Sequence, residues 1–311
     1  MVPYLWELVN RRELMPLWSL PAVYRKPFQG RQPDVAPQDA GTNNRAMAQN
    51  EWQRRIERAE ELAARYEFAA EILRFYAAIA RFQAQFYREI ETSKALAKVG
   101  GANPFGIRLE RGVAGGFRRF LSVVEKNGPA KLQEAARRLE AGDDESQFGL
   151  LAAFWEGEAL ASRSDEFFAR AFLQPYAARV RARANLRWKG PTAYVCPFCK
   201  RKPGLGVLRP MGDGGQRSLV CSFCLAEWEF RRILCAGCGE EDPAKLPVYS
   251  AEELGHVRVE ACDSCKCYIK TVDFTQSGLG EPVVDEIASV PLDLWARERG
   301  YSKLQANLLQ L

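Results

Sequence analysis

The sequence predicts an α+β fold: an N-terminal all-helical domain followed by two tandem rubredoxin-like or zinc-ribbon β modules. Three observations carry this. The first 195 residues contain no cysteine and show long stretches of helical periodicity. All nine cysteines then fall between Cys196 and Cys267. Eight of them form four C-x-x-C pairs that repeat one unit twice. With 311 residues, 47% apolar and 27% charged, the chain is long enough to bury a substantial core and unlike a disordered or fibrous sequence.

Residues 1–45 hold six of the 17 prolines, which lack a backbone donor and resist helix interiors, so this segment is expected as an extended arm. Its aromatics Tyr4, Trp6, Trp18, Tyr24 and Phe28 favour packing on the body. The opening MVPYLWELVNRR places Glu7 and Asn10 where a signal peptide needs an apolar core. The longest charge-free stretch, Leu14 to Tyr24, is 11 residues and contains two prolines, far short of the ~20 apolar residues that span a bilayer. A cytoplasmic protein without membrane insertion is the expectation.

Residues 46–190 are expected to form the helical domain. From about Asn44 to Lys98, Ile72, Phe75, Tyr76, Ile79, Phe82, Phe86 and Ile90 recur at spacings of three and four, until Gly100, Gly101 and Asn103-Pro104 stop the pattern. Shorter helices follow at about Gly116–Lys126, Pro129–Glu140, Glu145–Glu156 and Asp165–Trp188, the last with a kink expected at Pro175. Phe148, Phe154, Trp155, Phe167, Phe168 and Phe172 read as core in preference to a cofactor pocket. Arg179, Arg181, Arg183, Arg187 and Lys189 read as a solvated face, with docking of an acidic partner as the alternative.

After Gly190 both composition and charge change. Residues 1–190 hold 30 Lys+Arg against 23 Asp+Glu, and residues 191–311 hold 14 against 16. Residues 191–232 are expected as the first metal module and 233–281 as the second, with short strands near Ser218–Val220, Trp228–Ile233, Val257–Glu260 and Tyr268–Phe274. The pairs are Cys196/Cys199, Cys221/Cys224, Cys235/Cys238 and Cys262/Cys265, with 21 residues between the first two and 23 between the last two. A two-residue spacer folds into a tight knuckle that points both sulfurs at one spot, and two knuckles joined by a hairpin make a tetrahedral four-sulfur site. In the first module the hairpin tip is expected at Arg209–Arg217, with its three glycines. Each module is too small to stand on burial alone, so metal should supply folding energy, on the order of 10 kcal/mol per site. Four thiolates accept zinc or iron, and spacing does not choose between them. Thioredoxin-type redox dithiols are the competing reading, but the βαβ context they need is missing. Cys267 reads as a strand residue. Residues 282–311 form a tail with a helix that packs on the body.

His256 is the only histidine, which excludes three-histidine zinc catalysis, and it reads as a surface-loop residue. Gly112-Val-Ala-Gly115-Gly116 matches neither a Walker loop nor a dinucleotide fingerprint. No catalytic constellation remains, so a non-enzyme is expected. Ribbon modules often bind nucleic acid, but residues 191–311 are formally −2 and filling both sites makes them −6, the wrong sign for phosphates.

The segments CPFCKRKPGLGVL, RSLVCSFCLAEWEFRRILCAGCGEED and EACDSCKCYIKTVDF, followed by VVDEIASVPLDLWARERGY, resemble the formate dehydrogenase accessory proteins of the FdhE family over roughly residues 194–301. The helical half is similar only in general character. The resemblance implies a cytoplasmic maturation protein that binds the molybdenum-containing catalytic subunit of respiratory formate dehydrogenase. It also implies rubredoxin-like iron held by Cys196, Cys199, Cys221 and Cys224 in one site and by Cys235, Cys238, Cys262 and Cys265 in the other. Cys267 departs from the expected pattern. An iron protein passing electrons to the client's redox centres, and a ribbon that binds nucleic acid, are the competing functions.

Overall fold

The computed structural model describes residues 23–25, 44–91, 105–106, 108–184, 188, 190–212, 214–276, 278 and 280–311. Most of the proline-rich arm, the stop signals at Gly100–Pro104, and Arg187 and Lys189 of the basic run lie outside them.

The single helical run expected from Asn44 onward is two helices, α1 (Asn44–Arg65) and α2 (Ala70–Glu91). They are separated by extended Tyr66 and one 3-10 turn, Glu67–Ala69. Tyr66 explains the break: its hydroxyl donates to the Glu253 carbonyl at 3.2 Å, and its ring packs on Phe68. All seven apolar positions predicted on α2 are buried. Helices α3 (Phe117–Asn127), α4 (Ala130–Glu140) and α5 (Asp144–Glu156) follow the expected breaks. Asp143 caps α5 by accepting the Ser146 N–H at 2.8 Å, and Gly157 ends it at φ +92°, a conformation that favours glycine.

Helix α6 (Arg163–Ala184) continues through Pro175. Proline has no N–H to give the carbonyl four residues back. That carbonyl, Ala171, instead accepts Nε2 of buried Gln83 from α2 at 2.6 Å. The aromatic residues read as core are core: Phe172 stacks on Phe86 at 4.7 Å and meets Phe117 edge-on at 5.1 Å. Phe148 is half-buried beneath the Arg111 guanidinium. The solvated-face reading fails at Arg179, which is buried with its guanidinium 4.2 Å from the centre of the Tyr87 ring. Arg179 lies one turn beyond Pro175 on the face α6 turns toward α2, and there its planar head stacks on an aromatic instead of seeking water.

One sheet serves both cysteine modules. In addition to β1 (Val23–Arg25), its strands are β2 (Pro203–Met211), β3 (Gly214–Cys221), β4 (Glu227–Glu229), β5 (Val248–Ala251), β6 (Val257–Ala261), β7 (Cys267–Asp273) and β8 (Ser302–Lys303). The order is β1-β5-β6-β7-β2-β3-β4, with β8 alongside β7. The modules join where β2 runs parallel to β7, with Gly206 opposite Thr271. A Cβ on Gly206 would lie 2.3 Å from Thr271 Oγ1, so glycine is what lets the two strands approach. The hairpin tip is shorter than expected: Gly214 and Gly215 belong to the ladder, facing Met211 and Pro210, and Leu208 fills the space a Gly215 side chain would take. Val23–Arg25 of the arm pairs with β5.

The tail holds the two halves together. Helix α7 (Pro282–Ala288) lies between the sheet and helices α1 and α2, and α8 (Val290–Glu298) packs on strands β6 and β8. Glu281 pairs with Arg55 at 3.0 Å and Asp285 with Arg58 at 2.6 Å, both on α1. His256 is not a loose surface residue: its Nε2 lies 2.8 Å from Asp285 Oδ1, with its side chain mostly buried. Burial pushes the Asp285 carboxyl up, but hydrogen bonds from His256 and Arg58 outweigh it and hold it below the usual range. Fully buried Lys270 reaches Asp293 Oδ2 at 2.6 Å and the Glu286 carboxylate at 3.1 Å; Lys303 shares both acids. Two cations and two carboxylates cancel, the condition under which charge is tolerated inside a protein. The apolar core runs without a break from Phe172 in the helices to Phe223, Trp228 and Tyr268 in the sheet region.

Candidate metal centres

Each C-x-x-C pair forms the same small backbone loop. The N–H of the first cysteine donates to the carbonyl five residues on: Cys196 to Arg201 at 2.8 Å, Cys221 to Ala226 at 2.8 Å, Cys235 to Glu240 at 2.9 Å and Cys262 to Cys267 at 2.9 Å. In three of the four, the residue after the second cysteine also donates back to the first cysteine's carbonyl. That residue is left-handed in every case: Lys200 (φ +63°), Leu225 (φ +57°), Gly239 (φ +79°) and Lys266 (φ +56°). Three are not glycine, so the loop holds them in a conformation that costs about 1–2 kcal/mol each. Freed backbone amides face sulfur, with the N–H groups of Phe223 and Gly237 each 3.3 Å from Cys221 and Cys235 Sγ.

The hairpins bring these loops together in pairs. Cys196, Cys199, Cys221 and Cys224 form one group and Cys235, Cys238, Cys262 and Cys265 the other, each with its sulfurs within 4.8 Å of one another. The shortest cross-loop separations are 3.6 Å (Cys196–Cys224) and 3.3 Å (Cys199–Cys221) in the first group, and 3.7 Å for both Cys235–Cys265 and Cys238–Cys262 in the second. A disulfide needs about 2.05 Å. Four sulfurs about 2.3 Å from a central ion stand about 3.8 Å apart in a tetrahedron. The spacing therefore fits an ion in each group, and either group can hold one. All eight residues singled out from the sequence are placed together in this way. Cys267 joins neither group; its backbone carbonyl closes the fourth loop.

Burial pushes the Cys221 and Cys224 thiols up, with Cys196 and Cys199 adding to it in both, while Cys196, hydrogen-bonded by Cys199, Cys221 and Cys224, is pulled down. Four clustered thiols do not all ionise unaided, which is the electrostatic demand a bound cation answers.

Sequence reasoning missed the residues that seat the first group against the helices. Phe223, inside the second loop, meets Phe154 at 5.2 Å and Trp155 at 6.0 Å. Arg201 donates to the Phe154 carbonyl. Buried Arg170 of α6 donates to the Ser222 carbonyl in that loop at 3.1 Å and to the carbonyls of Ala306 and Asn307 in the tail at 3.0 Å. Burial lowers its pKa to about 10, countered in part by the charge of Glu166. No spacing signal marks an arginine whose partners are main-chain carbonyls far along the chain.

These observations define an α+β protein in which a helical body carries two paired-loop tetracysteine centres on a shared sheet. Residues 195–232 match the FdhE central domain and residues 233–310 the FdhE C-terminal domain. Over those residues, less than half of its length, the chain is similar to the FdhE family. It is 29% identical over 194 residues to a protein FdhE homolog of Aquifex aeolicus, a match covering 62% of this chain and 68% of that one. With a homolog of Haemophilus influenzae it shares 30% over 188 residues, covering 60% of this chain and 58% of the relative. The crystal structure of the FdhE protein from Pseudomonas aeruginosa has the same fold, with a TM-score of 0.63 at 24% identity, covering 84% of this chain and 96% of that one. Among the described residues no helix is long and apolar enough to cross a membrane.

Proposed function

We propose that this protein is a non-catalytic maturation factor for formate dehydrogenase, acting in the cytoplasm by binding the enzyme's catalytic subunit. Its two tetracysteine groups would each hold an iron ion, with zinc as the other ion such sulfurs accept. The observation that supports this best is the tie between centres and body. Arg170, Arg201 and Phe223 fix the first group to the helical domain, and the β2–β7 pairing fixes the second to the first. A bound ion in each group would hold the sheet and, through it, the helical surface in one arrangement, which is what a rigid client-binding scaffold needs.

The test is capture of purified catalytic subunit by the metal-loaded protein. Capture should disappear after chelation, return when metal is restored, and be absent when Cys196, Cys199, Cys221, Cys224, Cys235, Cys238, Cys262 and Cys265 are all serine. Undiminished capture by the eightfold variant would overturn the metal-dependent interaction.

A further inference from the structure

The two centres, alike in loop geometry, differ in what surrounds them. In the first, Cys196 and Cys224 are 0% exposed and Cys221 is 1% exposed. Only Cys199 is half-buried, at the end of a cleft walled by Trp155, Phe198 and Phe223. Arg170 and Arg201 hold the loops of that site to the helices, and their positive charge favours a four-thiolate centre carrying −2. In the second centre Cys238 is exposed and Cys265 half-buried. Charges of both signs surround it: Glu240, hydrogen-bonded to Ser264 and paired with Lys245; Glu241, paired with Arg231; Asp263, paired with Lys266; and Arg25 and Arg232 along the neighbouring cavity. Asp242 is exposed beside them. A cavity of about 1050 Å³ also reaches Cys235 and Cys262 from the side of the sheet that carries Cys267.

We propose that the two centres divide their roles, the first being a locked structural site and the second the exchange site, where metal enters and leaves. This rests on the reading that both groups hold metal. Exchange at a four-thiolate centre starts when an incoming ligand bonds to the ion and one thiolate leaves, taking a proton from solvent. That needs a sulfur within reach of solvent and a loop free to move. Cys238 and Cys265 lie within reach of solvent, and the loops that carry them are held by bonds at the surface, Ser264 to Glu240 and Lys266 to Asp263, while the first centre would have to break the buried Arg170 and Phe223 contacts before any of its three buried sulfurs could leave. The ligands suited to this port are small soft donors, thiols above all.

The experiment loads the full chain with two equivalents of zinc and follows transfer to a coloured chelator, 4-(2-pyridylazo)resorcinol, with timed alkylation of the released thiols by iodoacetamide and peptide mass spectrometry. One equivalent should leave at least about tenfold faster than the other. Peptides carrying Cys238 and Cys265 should be alkylated with the fast phase, and those carrying Cys196, Cys221 and Cys224 with the slow one. Cys238→Ser should speed the fast phase further and leave the slow phase unchanged. Two equivalents leaving at one rate, or early alkylation of the first group, would overturn the division alone; a chain that binds no zinc would overturn the metal reading with it.

Discussion

Replacing Arg170 by methionine is expected to destabilise the metal-loaded protein by about 3–5 kcal/mol, although the residue touches no metal-binding sulfur. Its guanidinium lies where α6, the second knuckle and the tail meet, donating to the carbonyls of Ser222, Ala306 and Asn307. Methionine has similar length and no donors, so the Ala306 carbonyl would lose its donor, while the Asn307 carbonyl would keep only the Gln310 N–H at 3.1 Å and the Ser222 carbonyl only Gln174 Nε2 at 3.4 Å. Each bond left unmade in this dry interface costs about 1–3 kcal/mol less any gain from relaxation. Arg170→Lys should recover only part of the loss, because one ammonium does not reproduce the planar fork that spans both the knuckle and the tail. Urea unfolding of wild type and both variants measures this; a loss under about 1 kcal/mol for Arg170→Met would contradict the joint described here.

The second large effect is expected at Asp293, which accepts from Lys270 at 2.6 Å, Lys303 at 3.0 Å and the Tyr268 hydroxyl at 2.7 Å. Asp293→Ala leaves two buried ammonium groups facing the Glu286 carboxylate alone, and should destabilise by about 3–5 kcal/mol. The double variant Lys270→Met, Asp293→Leu removes a charge of each sign and should be less destabilised than the sum of its single changes, a coupling the mutant cycle reads directly. The pH sign follows from the same geometry. Burial pushes the Asp293 carboxyl up, but Lys270 and Lys303 outweigh it and hold it below the usual carboxylate range. The stability it contributes is therefore present above the ordinary aspartate pKa and lost as the pH falls below it.

The cysteine sites were legible because a C-x-x-C pair encodes its own geometry: local backbone turns aim the sulfurs, and the hairpin length brings two pairs together. The helical core was legible for a related reason, since a spacing of three and four places Phe75, Ile79, Phe82 and Phe86 on one face whatever that face meets. What escaped depends on contacts distant in sequence. Strand β2 contains Pro203, Gly204, Gly206 and Pro210, poor strand formers, and exists because β3 and β7 flank it and Gly206 admits Thr271. Strand β5 is four residues long and owes its place to β1 and β6. Arg179 and His256 were expected in water and are instead claimed by Tyr87 and Asp285, neither of which is near them in sequence. Glu286 and Asp293 carry no sign in the tail sequence that they face Lys270 and Lys303.

We propose that the two sulfur quartets each hold one ion. Elemental analysis of freshly purified protein, with its visible absorption spectrum, tests it most directly, because Fe(III)–thiolate is strongly coloured and zinc is silent. Two ions per chain are expected, falling to one when either Cys196 and Cys224 or Cys235 and Cys262 become serine. A full-length protein that carries no ion, with its cysteines recovered as disulfides, would contradict it.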